Sequence, residues 1–311
     1  MLLAAPTNAA VLQALGDSPR SLVELRRATG TLSQSTLRAR LRELVALGVL
    51  KPKRRDGFPR ALDYELDGRG RELLVVGEVL QGWLADCPQG PVAYGSDLAK
   101  VMVRALVEGW SSTVIRALAA KPLALTELDG LISNLNYPSL ERRLGTMRRA
   151  GQIEPLPSSR PGTPYAVTDW LRRGVAPLAA AARWERLNAA GETTPIGRLD
   201  IEAALLLTVP MLHLPGELSG SCRLVVEISS RGERRLAGVR VGVAKGCIET
   251  CVTSLGGSAG AWATGPASAW LSAVLEHDRS RLELGGDCQL AGDLVDGLHR
   301  VLFGPALPAN P

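Results

Sequence analysis

The sequence predicts a multidomain chain: two helical modules in tandem, each closed by a β-hairpin, followed by an α+β domain with an antiparallel sheet. Three observations lead there. Residues 11–50 and 114–153 align without a gap at a shift of 103 residues, with Val11/Val114, Leu15/Leu118, Glu24/Glu127, Leu25/Leu128, Leu37/Leu140, Arg40/Arg143, Leu41/Leu144 and Gly48/Gly151 identical. A spacing that long marks a duplicated domain, because stacked solenoid repeats recur every ~20–50 residues. Each copy also places three helical patterns ahead of two short strand patterns. Beyond residue 197 the pattern changes to short apolar runs between tight turns, as in an antiparallel sheet. The domains on this reading are 1–92, 93–190 and 197–304 of a 311-residue chain, long enough for three cores.

In the first copy, residues 8–15 form a helix that Gly16 ends. Ser21 caps the next helix, 22–28, with Glu24 placed to complete a capping box. After a turn at 29–32, Ser33 caps a third helix. Its apolar stripe is Leu37, Leu41, Leu44, Val45 and Leu47, and its other face carries Gln34, Ser35, Arg38, Arg40 and Arg42. Gly48 stops it. Strands begin at Val49 and return through Tyr64 to Leu66, around a turn at 54–58, and a closing helix runs from about Arg69 to Leu84. In the second copy Ser111 opens the first helix, 126–132 is the second, and Asn136-Tyr137-Pro138 begins the third, with Pro138 suited to its first turn. Arg148 and Arg149 complement the C-terminal end of that helix dipole. Arg160 is the only charge in the proline-rich hairpin at 155–164, and Trp83 and Trp184 fall at equivalent places in the closing helices.

Three helices and a basic hairpin make a winged helix-turn-helix, so the fold class is two all-α/winged-helix (α+β) modules in tandem followed by an α+β domain. In such a module the third helix enters the major groove and the hairpin lies along phosphates. The candidate DNA-binding residues are Gln34, Ser35, Thr36, Arg38, Lys53, Arg54, Arg55 and Arg60 in the first copy, and Tyr137, Ser139, Arg142, Arg143 and Arg160 in the second. Charge agrees: residues 1–190 carry 26 Lys+Arg against 18 Asp+Glu, whereas residues 191–311 carry 10 against 13.

The motifs Leu22-x-x-Leu25, Leu37-Arg38-x-Arg40-Leu41-x-x-Leu44-x-x-x-Gly48, Tyr64-x-Leu66-x-x-x-Gly70-x-x-Leu73 and Trp83 resemble the HxlR-type winged-helix transcriptional regulators. The second copy is similar through Tyr137-Pro-Ser-Leu-Glu-Arg-Arg-Leu144, Gly151, Thr163-Pro-Tyr-Ala-Val-Thr168 and Trp184. Members of that family carry one module per chain and act as homodimers on paired half-sites. The resemblance therefore implies that two fused modules form an intrachain pseudo-dimer on double-stranded DNA, in a monomer or a homodimer. Neither copy has a cysteine before or within its first helix, where the family's redox sensors carry one.

In the last domain a linker at 191–197 leads to an apolar helix, 200–213. Strands follow at 222–228, 237–243, 247–253 and 259–264, then helices at 266–276 and 287–303. The segment Ala261-Trp262-Ala263-Thr264-Gly265, with Trp270, Leu282-Glu-Leu-Gly-Gly-Asp287 and Leu290, resembles a sterol-carrier-protein domain. That resemblance implies a hydrophobic tunnel for an apolar small-molecule effector, with Met211, Leu212, His213, Trp262 and Trp270 as candidate lining.

Five scattered cysteines make no disulfide framework, and a reducing cytoplasmic setting follows. No run is apolar enough to span a bilayer, no histidine sits at metal-ligand spacing, and the run Gly256-Gly257-Ser258-Ala259-Gly260 precedes a strand rather than the helix a phosphate loop needs. The expected protein is a cytoplasmic, cofactor-free and metal-free DNA-binding regulator without enzymatic activity or membrane contact. The alternatives are a lipid or small-molecule carrier with helical protein-docking modules, and a redox sensor using Cys87 or Cys288.

Overall fold

The computed structural model describes residue 3 and residues 5–30, 33–54, 62–159, 161–188, 197–230 and 233–304. The chain divides into two compact units, Met1–Ala105 with Ala180–Gly191, and Leu106–Ala179 with Glu192–Pro311.

The first unit runs α1 (Pro6–Gly16), β1 (Arg20–Ser21), α2 (Leu22–Ala28), α3 (Gln34–Ala46), β2 (Leu50–Arg54), β3 (Leu62–Leu66) and α4 (Gly68–Ala85). Its sheet has the order β1-β3-β2, all antiparallel. Local chemistry sets the helix starts. Ser21 and Glu24 form the reciprocal capping box, with Ser21 N donating to Glu24 Oε2 at 2.7 Å and Glu24 N donating to Ser21 Oγ at 3.3 Å. Ser33 Oγ accepts from Thr36 N at 3.1 Å to start α3. Val11, Leu25, Leu37 and Leu41 are fully buried. α5 (Asp97–Ser111) starts in this unit and ends in the other.

The second unit opens with the same order: α6 (Val114–Ala120), β4 (Leu123–Ala124), α7 (Leu125–Leu131), α8 (Tyr137–Arg149), β5 (Ile153–Pro155) and β6 (Pro164–Val167), with sheet order β4-β6-β5. Equivalent core positions match: Val114, Leu128 and Leu140 are as fully buried as Val11, Leu25 and Leu37. Gly48 and Gly151 end the third helix at φ 68° and 71°, a left-handed conformation that strains other residues. Half of the capping box survives in this copy. Ala124 N still donates to Glu127 Oε2 at 2.7 Å, but alanine offers no oxygen in return.

Two expectations are corrected here. Ser111 does not open a helix; it is the last residue of α5, and Thr113, at φ 70°, breaks the chain before α6. The closing helix is two pieces, α9 (Asp169–Arg173) and α10 (Val175–Asn188), joined at Gly174. The later turns of α10 belong to the first unit, where Trp184 Nε1 donates to the Arg69 carbonyl at 2.9 Å and Asn188 Nδ2 to Glu72 Oε2 at 2.6 Å.

The rest of the second unit comprises α11 (Arg198–Thr208), a 3-10 turn (Val209–Met211), β7 (Gly220–Ser230), β8 (Glu233–Ala244), β9 (Cys247–Val252), β10 (Ala261–Pro266), α12 (Ala267–Glu276), β11 (Glu283–Gly286) and α13 (Cys288–Phe303). The five-stranded sheet has the order β11-β10-β7-β8-β9. Three of its junctions are antiparallel, but β10 runs parallel to β7. The chain leaves edge strand β9, passes β8 and β7, and re-enters on the far side, so a hairpin cannot make the connection. One face of this sheet is the core. Leu224 and Val226, Val239 and Val241, and Ala261 and Ala263 are buried beneath α11, α12 and α13.

α11 is shared. It packs on β8 and also on α6 and α9. At its start, Asp200 Oδ1 accepts from Trp110 Nε1 and Arg116 Nη1, both at 2.9 Å, while Oδ2 accepts from Gly197 N at 3.0 Å. At its end, Arg172 Nη1 reaches the carbonyls of Leu206 and Leu207 at 3.4 and 3.3 Å, placing a cation at the negative pole of the helix. Residues 106–179 and the sheet domain therefore share one compact unit rather than meeting only at the linker. Most of that linker, 191–196, lies outside the described residues.

Candidate nucleic-acid interface

The first turn of α3 is a cluster of small hydroxyls. Ser33 Oγ lies 2.8 Å from both Ser35 Oγ and Thr36 Oγ1, and all three residues are exposed. Gln34, Arg38 and Arg42 follow one another at i, i+4 and form one exposed stripe. Arg40, one step aside, is tied to Glu43 at 2.7 Å. A helix with Leu37, Leu41 and Leu44 pinned in the core and this polar stripe outward is shaped for a groove of duplex DNA.

In the wing, the register sets Lys51 opposite Glu65 and Lys53 opposite Asp63. Both ammonium groups reach Glu65, at 3.1 and 3.4 Å. The Lys51 ammonium, with Lys53 beside it, holds the Glu65 carboxyl below the usual carboxylate range. The sign follows: this small stabilisation is complete above the unfolded pKa and fades as pH falls through the lower folded one. Arg54, at the end of β2, is exposed and has no ion pair among the described residues. Arg55 and Arg60 lie outside the described residues.

The second copy presents a different surface. At the repeat shift the Gln34/Arg38/Arg42 stripe becomes Tyr137/Glu141/Gly145, and Lys51, Lys53 and Arg54 become Glu154, Leu156 and Pro157. Tyr137 and Arg142 are exposed, and Ser139 lies near the start of α8, where its N–H is held by Asn136 Oδ1 at 3.0 Å. Arg143 is the clearest departure from expectation. Its Nη1 donates to the Glu108 carbonyl at 2.6 Å and its Nη2 lies 3.5 Å from Glu108 Oε2, so it braces α8 against α5. Arg160 lies outside the described residues.

The candidate effector residues do not converge. Leu212 and Trp270 are buried in the sheet-domain core, Trp270 with Nε1 donating to the Val225 carbonyl at 2.9 Å, and Met211 is half-buried next to Leu212 in the chain. His213 is exposed, with Nδ1 3.2 Å from the Met211 carbonyl. Trp262 is 36% exposed, because strand alternation puts it opposite Ala261 and Ala263, on the face without helices. The sequence motif containing both tryptophans could not reveal that a strand and a helix aim them to opposite sides. Cys87 is buried and Cys288 exposed, and burial pushes the Cys222 and Cys251 thiols up to about 12. Among the described residues no three His, Cys, Asp or Glu side chains form a metal site, and no helix is long and apolar enough to cross a membrane.

Residues 6–89 match the HxlR-like helix-turn-helix family. The match covers α1 to α4 with the wing and stops before the second copy. The match supports a helix-turn-helix of the DNA-binding, transcription-regulator type in the first module. No curated protein matches the chain.

Proposed function

We propose that the chain is a DNA-binding transcriptional regulator whose two repeated modules form an asymmetric intrachain pseudo-dimer. In it the first module contacts double-stranded DNA and the second is its structural counterpart. The observation that carries this reading is the Gln34/Arg38/Arg42 stripe on a helix inside the family-matched segment, set against Tyr137/Glu141/Gly145 in the other copy. A carboxylate at the centre of a groove-facing stripe would repel phosphates, so the charge for binding rests with α3 and its wing.

The test is electrophoretic shift of promoter DNA at two salt concentrations. Changing Gln34 or Arg38 to alanine should cost about 1–3 kcal/mol on the preferred site and relax its sequence preference. Arg54→Ala with Arg55→Ala should weaken binding to every sequence and lower the salt slope by about 0.9 for each phosphate left without its cation. Tyr137→Ala and Glu141→Ala should leave the shift unchanged; a loss equal to that at Gln34 would instead make both helices readers. Absence of any specific shift would remove the regulator reading.

The wing holds a further handle. Glu65→Gln frees Lys51 and Lys53 from their shared carboxylate, so binding to nonspecific duplex should tighten and its salt slope steepen by about one to two phosphate equivalents. A slope that stays flat would mean the lysines do not meet DNA.

We also assign the sheet domain to sensing. What supports this is α11, packed on the sheet core and braced against residues of the second module through Asp200 and Arg172. An apolar effector would have to enter a core already filled by Leu212, Trp270 and their neighbours, and its effect would require a difference in affinity between two arrangements of α11.

A further inference from the structure

The face of the five-stranded sheet away from the helices carries a row that neither the DNA reading nor the core explains. Strand pairing places Gly285, Trp262, Arg223, Arg240 and Val252 side by side across all five strands. Arg223 and Arg240 are direct cross-strand neighbours, and like charges in that position repel. Neither has an ion pair among the described residues, and Glu227, four residues along β7 from Arg223, is paired with Arg234. Arg223 also holds its Nε–H buried with no partner, which costs free energy.

The glycine-rich segment 253–260 passes on this same side on its way from β9 to β10. Arg240 Nη1 donates to the Gly256 carbonyl at 3.0 Å, which fixes that guanidinium beside the loop. Gly256, Gly257 and Ser258 are exposed, and among the described residues their N–H groups are donated to nothing. Trp262 completes the arrangement. Its ring lies against Gly285, where a Cβ would fall inside the ring, and the residue is one-third exposed.

We propose that this face binds a small phosphate monoester carried on a planar ring, a mononucleotide being the simplest example. Two adjacent guanidinium groups, one of them held by the Gly256 carbonyl, suit a dianion and bond its oxygens in pairs. The glycine loop adds free backbone N–H donors without side chains to block approach. Trp262 offers a flat apolar surface one strand away from the arginine pair, within reach of the ring. The site lies opposite the apolar core and does not depend on the DNA reading.

Calorimetric titration of the full chain, without DNA, with AMP, inorganic phosphate and adenosine tests this directly. AMP should saturate one site and bind at least about tenfold more tightly than either part alone. Arg223→Gln and Arg240→Gln should each weaken AMP about tenfold, whereas Arg240→Lys, which keeps the charge, should weaken it less. Trp262→Leu should cost about tenfold for AMP and leave inorganic phosphate within about twofold. If that variant loses its fold by circular dichroism, Trp262→Phe, which keeps a ring, should retain binding. Unsaturable binding of AMP overturns the proposal. So does binding no tighter than phosphate or adenosine, or indifference to both arginine substitutions.

Discussion

Asp200→Ala is expected to lower the stability of the second unit by about 2–3 kcal/mol, less than a fully buried ion pair because both side chains keep some exposure. One carboxylate serves three donors: Trp110 Nε1, Arg116 Nη1 and Gly197 N. Removing it leaves Arg116 with only the Thr113 hydroxyl, at 2.9 Å, while its Nε is already buried without a partner. The indole N–H of Trp110 loses its acceptor at the same time. Urea unfolding followed by tryptophan fluorescence should show an earlier midpoint, with Asp200→Asn intermediate because its amide oxygen keeps one acceptor. An unchanged midpoint for the alanine variant would mean that α11 is held by apolar packing alone. In that case transmission from the sheet domain through this contact would have to be abandoned.

The second large effect comes from truncating the repeated core. Leu37→Ala and Leu140→Ala each remove a side chain with no solvent exposure from near the start of a third helix, and each should cost about 3 kcal/mol. The two substitutions act in different units. Hydrogen exchange read on peptides should therefore show Leu37→Ala loosening residues 6–54 and Leu140→Ala loosening residues 114–168. DNA binding should suffer more from the first. Equal loss of protection in both segments from either change would show that the two units unfold as one.

Much of this was legible because short-range chemistry determined it. Ser21 with Glu24, and Ser33, each cap a helix where the sequence expects one, and the shared leucines of the repeat become equivalent core positions. Less legible were features decided by distant partners. β1 and β4 are two residues long and exist only because β3 and β6 pass beside them. α5 is not among the expected elements, although Ser96 Oγ caps its start by accepting from Ala99 N at 3.1 Å, and its packing role appears in the Glu108–Arg143 contact. The parallel pairing of β10 with β7 depends on which edge the chain rejoins, and the alternation of β10, with Ala261 and Ala263 in the core, puts Trp262 on the other face. Arg143 shows the same limit at one residue: it is identical with Arg40 across the repeat, yet each finds a different carboxylate.

The shared helix α11 carries a consequence for how this chain could be divided or recombined. A cut at the glycine- and threonine-bearing stretch before residue 197 looks natural by composition, yet it would strip α6 and α9 of the helix that covers them. A fragment ending there would expose apolar surface, leave Arg116 without its carboxylate and take the Leu206 and Leu207 carbonyls from Arg172. Substitution meets the same constraint. Residues on α11 must satisfy two neighbours at once, so a change that suits the sheet core must also suit α6 and α9. The helix behaves as a graft union, through which residues 106–179 and the sheet domain depend on one another.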